Sequence, residues 1–154
     1  MNKTNQLDQH ASAYSISNLI PSIEVYQALR SGAGLSGKTT EAASRGLPNS
    51  LFAIQIMLND QAVGMGRVIG DGGCFYQVVD IAVLPLHQGK GLGKRIMQGI
   101  VAYLEINAPD SAYISLIADG KAQELYAQFG FVQTAPRSVG MALKRNKNEV
   151  KVDC

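Results

Sequence analysis

The chain has 154 residues, of which 46% are hydrophobic and 17% charged, and its net charge is +2. This composition is typical of a globular protein with a core and excludes a disordered chain, while the small net charge argues against nucleic acid as a partner. No apolar run has the length of a membrane-spanning helix, so we expect no membrane association. The first ten residues are polar and lack the apolar stretch of a signal peptide, which makes the cytoplasm the expected location.

The first half of the chain combines a strand, two helices and a meander. Ser22 is a suitable N-cap because Ile23, Tyr26 and Leu29 follow on one helical face. Turn residues at 59–60 and 71–73 separate three apolar runs, which predicts antiparallel hairpins. The predicted elements are a strand at 11–18, helices at 23–30 and 39–45, and strands at 51–58, 61–69 and 75–84.

The second half has a different pattern. Leu92, Ile96, Ile100 and Leu104 recur every fourth residue, which predicts an amphipathic helix over 92–107. A strand at 113–118, a helix at 122–129 and last strands at 131–132 and 139–143 follow. A strand–helix–strand crossover implies a parallel pair. The predicted fold class is α+β, with a mixed, mostly antiparallel central sheet and helices on both faces.

No internal repeat or linker divides the chain. We therefore expect one domain over residues 1–154, with flexible ends at 1–10 and 145–154. The two cysteines, Cys74 and Cys154, and the two histidines, His10 and His87, lack the spacing of a metal site. We expect no protein-bound metal.

The most informative stretch is the glycine-rich turn from Gln88 to Gly93, which joins a strand to a helix. Such a turn exposes backbone N–H groups at the positive end of a helix, where an anion can bind. Lys94 and Arg95 in the first helical turn oppose the helix dipole, and a bound phosphate would remove that conflict. The alternative is an ordinary turn whose glycines supply a positive φ. The glycine spacing does not fit a dinucleotide fingerprint.

The segments 79–85 and 88–93 resemble the acetyl-CoA site of the GNAT superfamily of N-acetyltransferases. That family's pattern, Gln/Arg-x-x-Gly-x-Gly/Ala, is matched by Gln88, Gly91 and Gly93. A second similar segment runs from Ala122 to Phe131. The resemblance covers about residues 52–143. It implies the same fold, with two central parallel strands that splay apart to admit the pantetheine arm.

The resemblance also implies a set of binding residues. An N–H near Val83, freed from the ladder before Pro85, would face the thioester carbonyl. The expected acetyl-CoA contacts are Ile81, Ala82, Val83, Gln88, Gly89, Lys90, Gly91, Leu92, Gly93, Lys94 and Tyr126. The expected acceptor contacts are Tyr26, Leu29, Arg30, Leu35 and Tyr76. The segment 134–139 is expected at the rim of that acceptor pocket.

Tyr126 is the candidate general acid for the departing thiolate. A phenol with a pKa of about 10 stays protonated at neutral pH and matches a thiol leaving group. The alternative is a tyrosine at a helix–sheet boundary with no chemical role. Asp80 is the candidate base, because burial in an apolar strand raises a carboxyl pKa. Strand alternation would place Asp80 on one face with Tyr76, Val78 and Ala82. The alternative is a structural aspartate, since many members of the resembling family use a water chain.

Residues Gly32 to Thr39 match the phosphate-binding pattern Gly-x-x-x-x-Gly-Lys-Ser/Thr. That motif needs a buried strand before it and a sustained helix after it. Here a helical pattern precedes it, and Gly46 and Pro48 interrupt the helix that follows. We therefore interpret it as a loop between two helices.

The sequence predicts an N-acetyltransferase that moves an acetyl group from acetyl-CoA to a primary amine of a small molecule, by direct attack in a ternary complex. The alternatives are a non-catalytic acyl-CoA sensor on the same fold, and a nucleotide binder that uses Gly32 to Thr39. The identity of the amine stays open. A homodimer is one possible assembly.

Overall fold

A computed structural model of the protein describes residues 13–145. Five strands form one sheet in the order β1-β2-β3-β4-β5, with antiparallel neighbours up to β4 and a parallel β4–β5 pair. The strands are β1 Tyr14–Ser17, β2 Phe52–Leu58, β3 Gln61–Gly70, β4 Phe75–Val83 and β5 Tyr113–Leu116. The helices are α1 Ile23–Gly32, α2 Thr40–Gly46, α3 Leu92–Asn107 and α4 Ala122–Ala127. The predicted α+β class is confirmed.

The sheet separates two clusters of buried side chains. On one face, α3 packs its Ile96, Met97 and Ile100 against Ile54, Val68 and other residues of the sheet. On the other face, Tyr26 and Leu29 of α1 pack with Met65 and Ala82. Gly66 lets α3 come close, because a Cβ there would lie 2.6 Å from Cγ2 of Ile96 and 2.7 Å from Cδ1 of Ile81. The helices on the two sides of the sheet thus determine which side chains of β4 face α3 and which face α1. Strand β4 carries much of the site.

Local signals explain where α1 and α2 begin. The Ser22 hydroxyl accepts a hydrogen bond from the backbone N–H of Val25, as its predicted N-cap role requires. The Thr39 hydroxyl does the same for Ala42. The two hydroxyls therefore fix the first residue of each helix, and Thr39 also fixes the end of the loop that leads into α2.

A β-bulge interrupts β4. Val79 pairs with Arg67 and Ala82 pairs with Met65, so that Asp80 and Ile81 together oppose Gly66. Asp80 has a φ of 59°. The extra residue shifts the side-chain alternation of the strand by one.

The bulge corrects one expectation. Tyr76 and Val78 belong to the α3 cluster, whereas Asp80 contacts α1 and Ala82 belongs to the α1 cluster. The prediction that all four share one face is wrong, because strict alternation holds only in a strand without an inserted residue.

The predicted strands at 131–132 and 139–143 are absent from the described residues, where 131–145 have no helix or strand. A strand needs a hydrogen-bonded neighbour, and this segment has none within the described part of the chain. Residues 1–10 and 146–154, most of the predicted flexible ends, lie outside the described residues, as do Ala11 and Ser12 of the predicted first strand.

Candidate active site

The glycine-rich turn lies at the N-terminus of α3. Gly89 and Gly91 both have a φ of 74°, a left-handed conformation that glycine adopts without strain. Gly91 is the N-cap of α3 and offers no side chain to the first N–H groups of the helix. Those groups are therefore available to an anion.

Two side-chain contacts hold the approach to this turn. Nε2 of Gln88 donates to the carbonyl oxygen of Val83 at 2.9 Å. The Tyr14 hydroxyl and Nδ1 of His87 are hydrogen-bonded at 2.8 Å, which ties the short helix Pro85–His87 to β1. These contacts tie the turn to β4 and to β1, the two outer strands of the antiparallel part of the sheet.

A groove of about 390 Å³ runs from this turn to α4. Strand β4 contributes Ile81 and Val83, and α4 contributes Ala122, Leu125 and Tyr126. The turn and the start of α3 contribute the remaining lining residues, which are His87, Gln88, Gly89, Gly91, Leu92 and Gly93. Of the expected acetyl-CoA contacts, Ala82, Lys90 and Lys94 are not part of this lining; Ala82 belongs to the cluster on the other face of the sheet.

The groove enters the sheet where β4 and β5 part. Their last paired residues are Val78 and Leu116, so Val79 to Val83 have no neighbour on that side. The N–H of Leu84 donates to Val63 on β3 at 2.9 Å. Because successive amides of a strand point in opposite directions, the N–H of Val83 points into the gap.

Tyr126 lies on α4 beside this gap and is 8% exposed. Burial, and next the negative charge of Asp119, raise the pKa of the Tyr126 phenol above its ordinary value of 10.0. The hydroxyl therefore keeps its proton at neutral pH, as a general acid must.

Asp80 lies in a buried cluster of charged residues on the α1 face. Its carboxylate accepts from Nε of Arg67 at 2.7 Å and is also paired with Arg30. The Tyr26 hydroxyl donates to both carboxylate oxygens, at 3.2 and 3.3 Å. The two guanidinium carbons lie 5.4 and 5.9 Å from the Tyr26 ring centroid, so the ring also contacts both cations.

This cluster raises the pKa of Tyr26. Burial is the largest cause and the charge of Asp80 the next, which together outweigh the opposing effect of the two arginines. Arg30 further holds the loop before α2, through Ser36: its Nε donates to the carbonyl oxygen at 2.7 Å and its Nη2 to the hydroxyl at 3.0 Å. The cluster thus joins β3, the bulge, α1 and the loop.

The residues expected around the acceptor do not all come together. Tyr26, Leu29 and Arg30 lie on α1 and are 2–8% exposed, and Leu35 packs against the same cluster. Tyr76 lies on the opposite face of the sheet, where its hydroxyl donates to the carbonyl oxygen of Asn107 at 3.3 Å.

The segment Gly32 to Thr39 joins two helices, as the sequence indicates. The helix α1 precedes it, whereas a nucleotide-binding loop requires a strand at that position. The helix that follows, α2, has only seven residues, whereas the motif requires a sustained helix. Nε2 of Gln27 donates to the carbonyl oxygen of Lys38 at 3.0 Å.

Sequence reasoning missed four contributors. Arg67 could have been found as a cation inside an apolar strand, the natural partner of a buried carboxylate. His87, Ala122 and Leu125 carry no signal of their own in the sequence, since they line the groove because of the turn and the packing of α4. Within residues 13–145 there is no cluster of three or more potential metal ligands, and no helix there is both long and apolar enough to cross a membrane.

Comparison with known proteins gives consistent results. The family model of the acetyltransferase (GNAT) domain matches residues 39–144. A crystal structure of a protein of unknown function from Staphylococcus aureus, named a probable acetyltransferase, superposes with a TM-score of 0.82. It is 49% identical, and the match covers 86% of this chain and 99% of that one.

Two curated relatives match over shorter stretches. An uncharacterized N-acetyltransferase of Prochlorococcus marinus is 29% identical over 64% of this chain and 56% of its own length. Serotonin N-acetyltransferase 2 of rice, a chloroplastic protein, is 30% identical over 58% of this chain and 44% of its own length. The chain thus spans about half the length of the curated relatives that it matches. With the family model matching more than half of its residues, the chain belongs to the GNAT family of acetyltransferases.

Proposed function

We propose that the protein transfers an acetyl group from acetyl-CoA to a primary amine of a small molecule, by direct attack of the amine in a ternary complex. The observation that carries the proposal is the groove that joins the turn at Gly91 to Val83 of β4 and Tyr126 of α4. Along this groove, the turn would bind an anion, the N–H of Val83 would polarise a carbonyl, and Tyr126 would act as an acid.

The diphosphate of coenzyme A would bind at the glycine turn. Gly89 and Gly91 leave the backbone accessible, since nothing lies within 4 Å of a Cβ built at either position. The N–H groups at the start of α3 supply hydrogen bonds and the positive end of the helix dipole. Ile81, Leu92 and Leu125 would cover the apolar part of the pantetheine arm.

The thioester would lie where β4 has lost its neighbour. The N–H of Val83 is aimed at the oxygen that becomes negative as the amine attacks, and a fixed donor of this kind stabilises the transition state. The bond from the amine nitrogen to the carbonyl carbon forms, and the bond to sulfur breaks. Tyr126 gives its proton to the departing thiolate, which yields free coenzyme A.

Asp80 is better suited to holding the site together than to accepting the proton of the amine. Both of its oxygens already accept hydrogen bonds from Arg30, Arg67 and Tyr26. A water chain to bulk solvent would then carry the proton away, as sequence reasoning left open. The acceptor would approach from the α1 side, over the loop that Arg30 holds.

The test is release of free thiol from acetyl-CoA in the presence of a panel of primary amines. The panel should include arylalkylamines, because of the rice relative, together with amino acids, polyamines and aminoglycosides. We expect thiol release that depends on one amine class and yields its N-acetyl product by mass spectrometry. Binding of acetyl-CoA with no turnover on any amine would instead identify a sensor.

A matched pair of variants tests the phosphate end. Gly91→Val forces a β-branched residue into a left-handed conformation and should abolish binding of acetyl-CoA. Gly72→Val is the control, because Gly72 has a φ of 79° with equal free space but lies in the β3–β4 hairpin. Unchanged affinity in a folded Gly91→Val protein would contradict the proposed site.

A further inference from the structure

A depression of about 320 Å³ lies at the end of the sheet that carries the β3–β4 hairpin. Its lining includes one row of residues across three strands, because Ile69 on β3 pairs with Gln77 on β4, and Gln77 pairs with Ser115 on β5. Phe75 lies two residues before Gln77 on the same face of β4 and adds an aromatic ring to the lining. We call this depression the hairpin pocket.

The hairpin pocket lies on the α1 face of the sheet. Ile69 is two residues from Arg67, whose side chain pairs with Asp80 on that face. Ser115 lies between two residues that pack against the α3 cluster, so its own side chain points to the other face. The groove proposed for coenzyme A contains Ile81, which packs against the α3 cluster. The two cavities are therefore on opposite faces of the sheet.

The gap between β4 and β5 connects the two cavities. The last pair before the gap is Val78 with Leu116, one residue beyond the pair of Gln77 with Ser115. Gln77 and Val79, the first residue of β4 without a neighbour on that side, are about 7 Å apart along the strand. A ring held over Gln77 would thus place an amine on a short carbon linker in the gap, where the thioester would lie.

The residues that line the hairpin pocket carry no charge. Arg67, two residues from Ile69, is 7% exposed and already donates to Asp80 and Ser50. Asp71 of the hairpin is exposed, and its Oδ1 already accepts three backbone N–H groups of the turn. The lining therefore offers no cation to a carboxylate and no carboxylate to a second ammonium group, which disfavours amino acids and polyamines as occupants.

The pocket combines apolar walls with two polar groups. Phe75 is 62% exposed, so its ring is accessible for stacking with a ligand ring. Gln77 and Ser115 are half-buried and carry an amide and a hydroxyl. An alkyl chain over these groups would remove them from water without a hydrogen-bond partner. The face of an aryl ring instead accepts weak hydrogen bonds from N–H and O–H groups.

We propose that the hairpin pocket binds an uncharged aryl group of the acceptor, which makes the substrate class an arylalkylamine. The ring lies against Phe75 and Ile69, and the amine reaches the thioester through the gap beyond Val78. The volume of the pocket suits such a group, since it is at the lower end of the range for small-molecule sites. This inference rests on the proposed acetyl transfer, and it gives Phe75 a role in specificity and not in the chemical step.

Steady-state kinetics with three amines tests the substrate class. Phenethylamine carries the ring, hexylamine replaces the ring by an alkyl chain, and phenylalanine adds a carboxylate beside the amine. We expect kcat/KM for phenethylamine to exceed the values for the other two amines by at least about tenfold. A value for hexylamine or phenylalanine that equals or exceeds it would overturn the aryl subsite and leave the acetyl transfer intact.

Variants of Phe75 test the position of the ring. Phe75→Ala should raise KM for phenethylamine by at least about fivefold and leave kcat unchanged, because the lost contact is equal in the ground state and the transition state. Phe75→Tyr keeps the ring and should keep the wild-type KM. Ile106→Ala is the control, since it also removes an exposed apolar side chain, but on α3. An unchanged KM in Phe75→Ala would overturn the proposal.

Calorimetric titration separates this inference from the acetyl transfer. Phenethylamine is titrated into the protein saturated with coenzyme A, which has no acetyl group to transfer. Binding that Phe75→Ala weakens, in a protein that acetylates none of the amines, would support the aryl subsite and contradict the proposed function. Absence of binding to the wild-type protein at millimolar amine would overturn the aryl subsite.

Discussion

Nε of Arg67 lies 2.7 Å from Oδ2 of Asp80, so a cation on β3 neutralises a carboxylate on the bulge of β4. The two side chains are 9% and 5% exposed, and Arg30 pairs with the other carboxylate oxygen. Removing the carboxylate would leave two guanidinium groups buried without a counter-charge.

Asp80→Asn should therefore lower the free energy of unfolding by about 3–5 kcal/mol, the usual cost of breaking a buried ion pair. Urea unfolding at neutral pH measures it. Glu41→Gln is the control: the pair between Arg45 and Glu41 is 79% and 72% exposed, and its loss should cost at most about 0.5 kcal/mol. Equal costs in the two variants would contradict a structural role for Asp80. If the Asp80→Asn protein is folded and stable but has no activity, Asp80 is again the candidate base.

Tyr126→Phe should lower kcat by roughly 10²-fold or more, the scale of a positioned general acid. Both kcat and kcat/KM should fall together, while the affinity for acetyl-CoA should change little because the proton is needed late in the reaction. Tyr113→Phe is the control, since Tyr113 lies exposed at the edge of β5. Near wild-type kcat in Tyr126→Phe across the pH range would mean that solvent assists release of the thiolate.

Tyr26 makes the stability depend on alkaline pH. Its folded pKa lies above the unfolded value of 10.0, so its contribution to stability is fully present below pH 10. As the pH rises above 10, the unfolded phenol loses its proton first, and the contribution falls until the folded pKa is passed. The unfolding free energy of the wild type relative to that of Tyr26→Phe should therefore fall as the pH rises above 10. Lysines and other tyrosines titrate in both proteins and cancel. A constant difference would contradict the raised pKa.

Gly66→Ala should cost about 1–3 kcal/mol, the range for overpacking a core. Its Cβ would lie within 3.0 Å of three isoleucine side chains, those of Ile81, Ile96 and Ile100. Gly37→Ala is the control, because nothing lies within 4 Å of a Cβ there. Thermal or urea unfolding that ranks the two variants equally would contradict the close packing of α3 on β3.

Local signals in the sequence were sufficient for most of the elements. The N-cap at Ser22 and the period of Leu92, Ile96 and Ile100 act over one or two turns, so a single sequence carries them. The turn at Gly91 was also readable, because a left-handed glycine before a helix is a local feature. The family resemblance then pointed to Tyr126 and Val83, whose chemical roles stay predictions.

The rest depends on pairing between distant residues. The bulge was hidden because the residues around Asp80 are apolar on both faces of β4, so alternation gave no warning of an inserted residue. The ion pair between Arg67 and Asp80 follows from the register of β3 and β4. No local pattern in the sequence predicts that register. The segment 139–143 has the pattern of a strand, but the pattern does not say which strand it would join.

The bulge at Asp80 also has a consequence for insertions and deletions in this strand. Without that residue, the side chains of 76, 78, 81 and 83 would still fall on the α3 face, because deletion restores simple alternation. A chain lacking Asp80 would keep the alternation of its core side chains and gain an uninterrupted ladder with β3, but Arg30 and Arg67 would lose their buried counter-charge. Without the bulge, β4 would be straighter and would stay beside β5 beyond Val78. The single inserted residue therefore makes the difference between a closed sheet and a sheet with a gap that a ligand can enter.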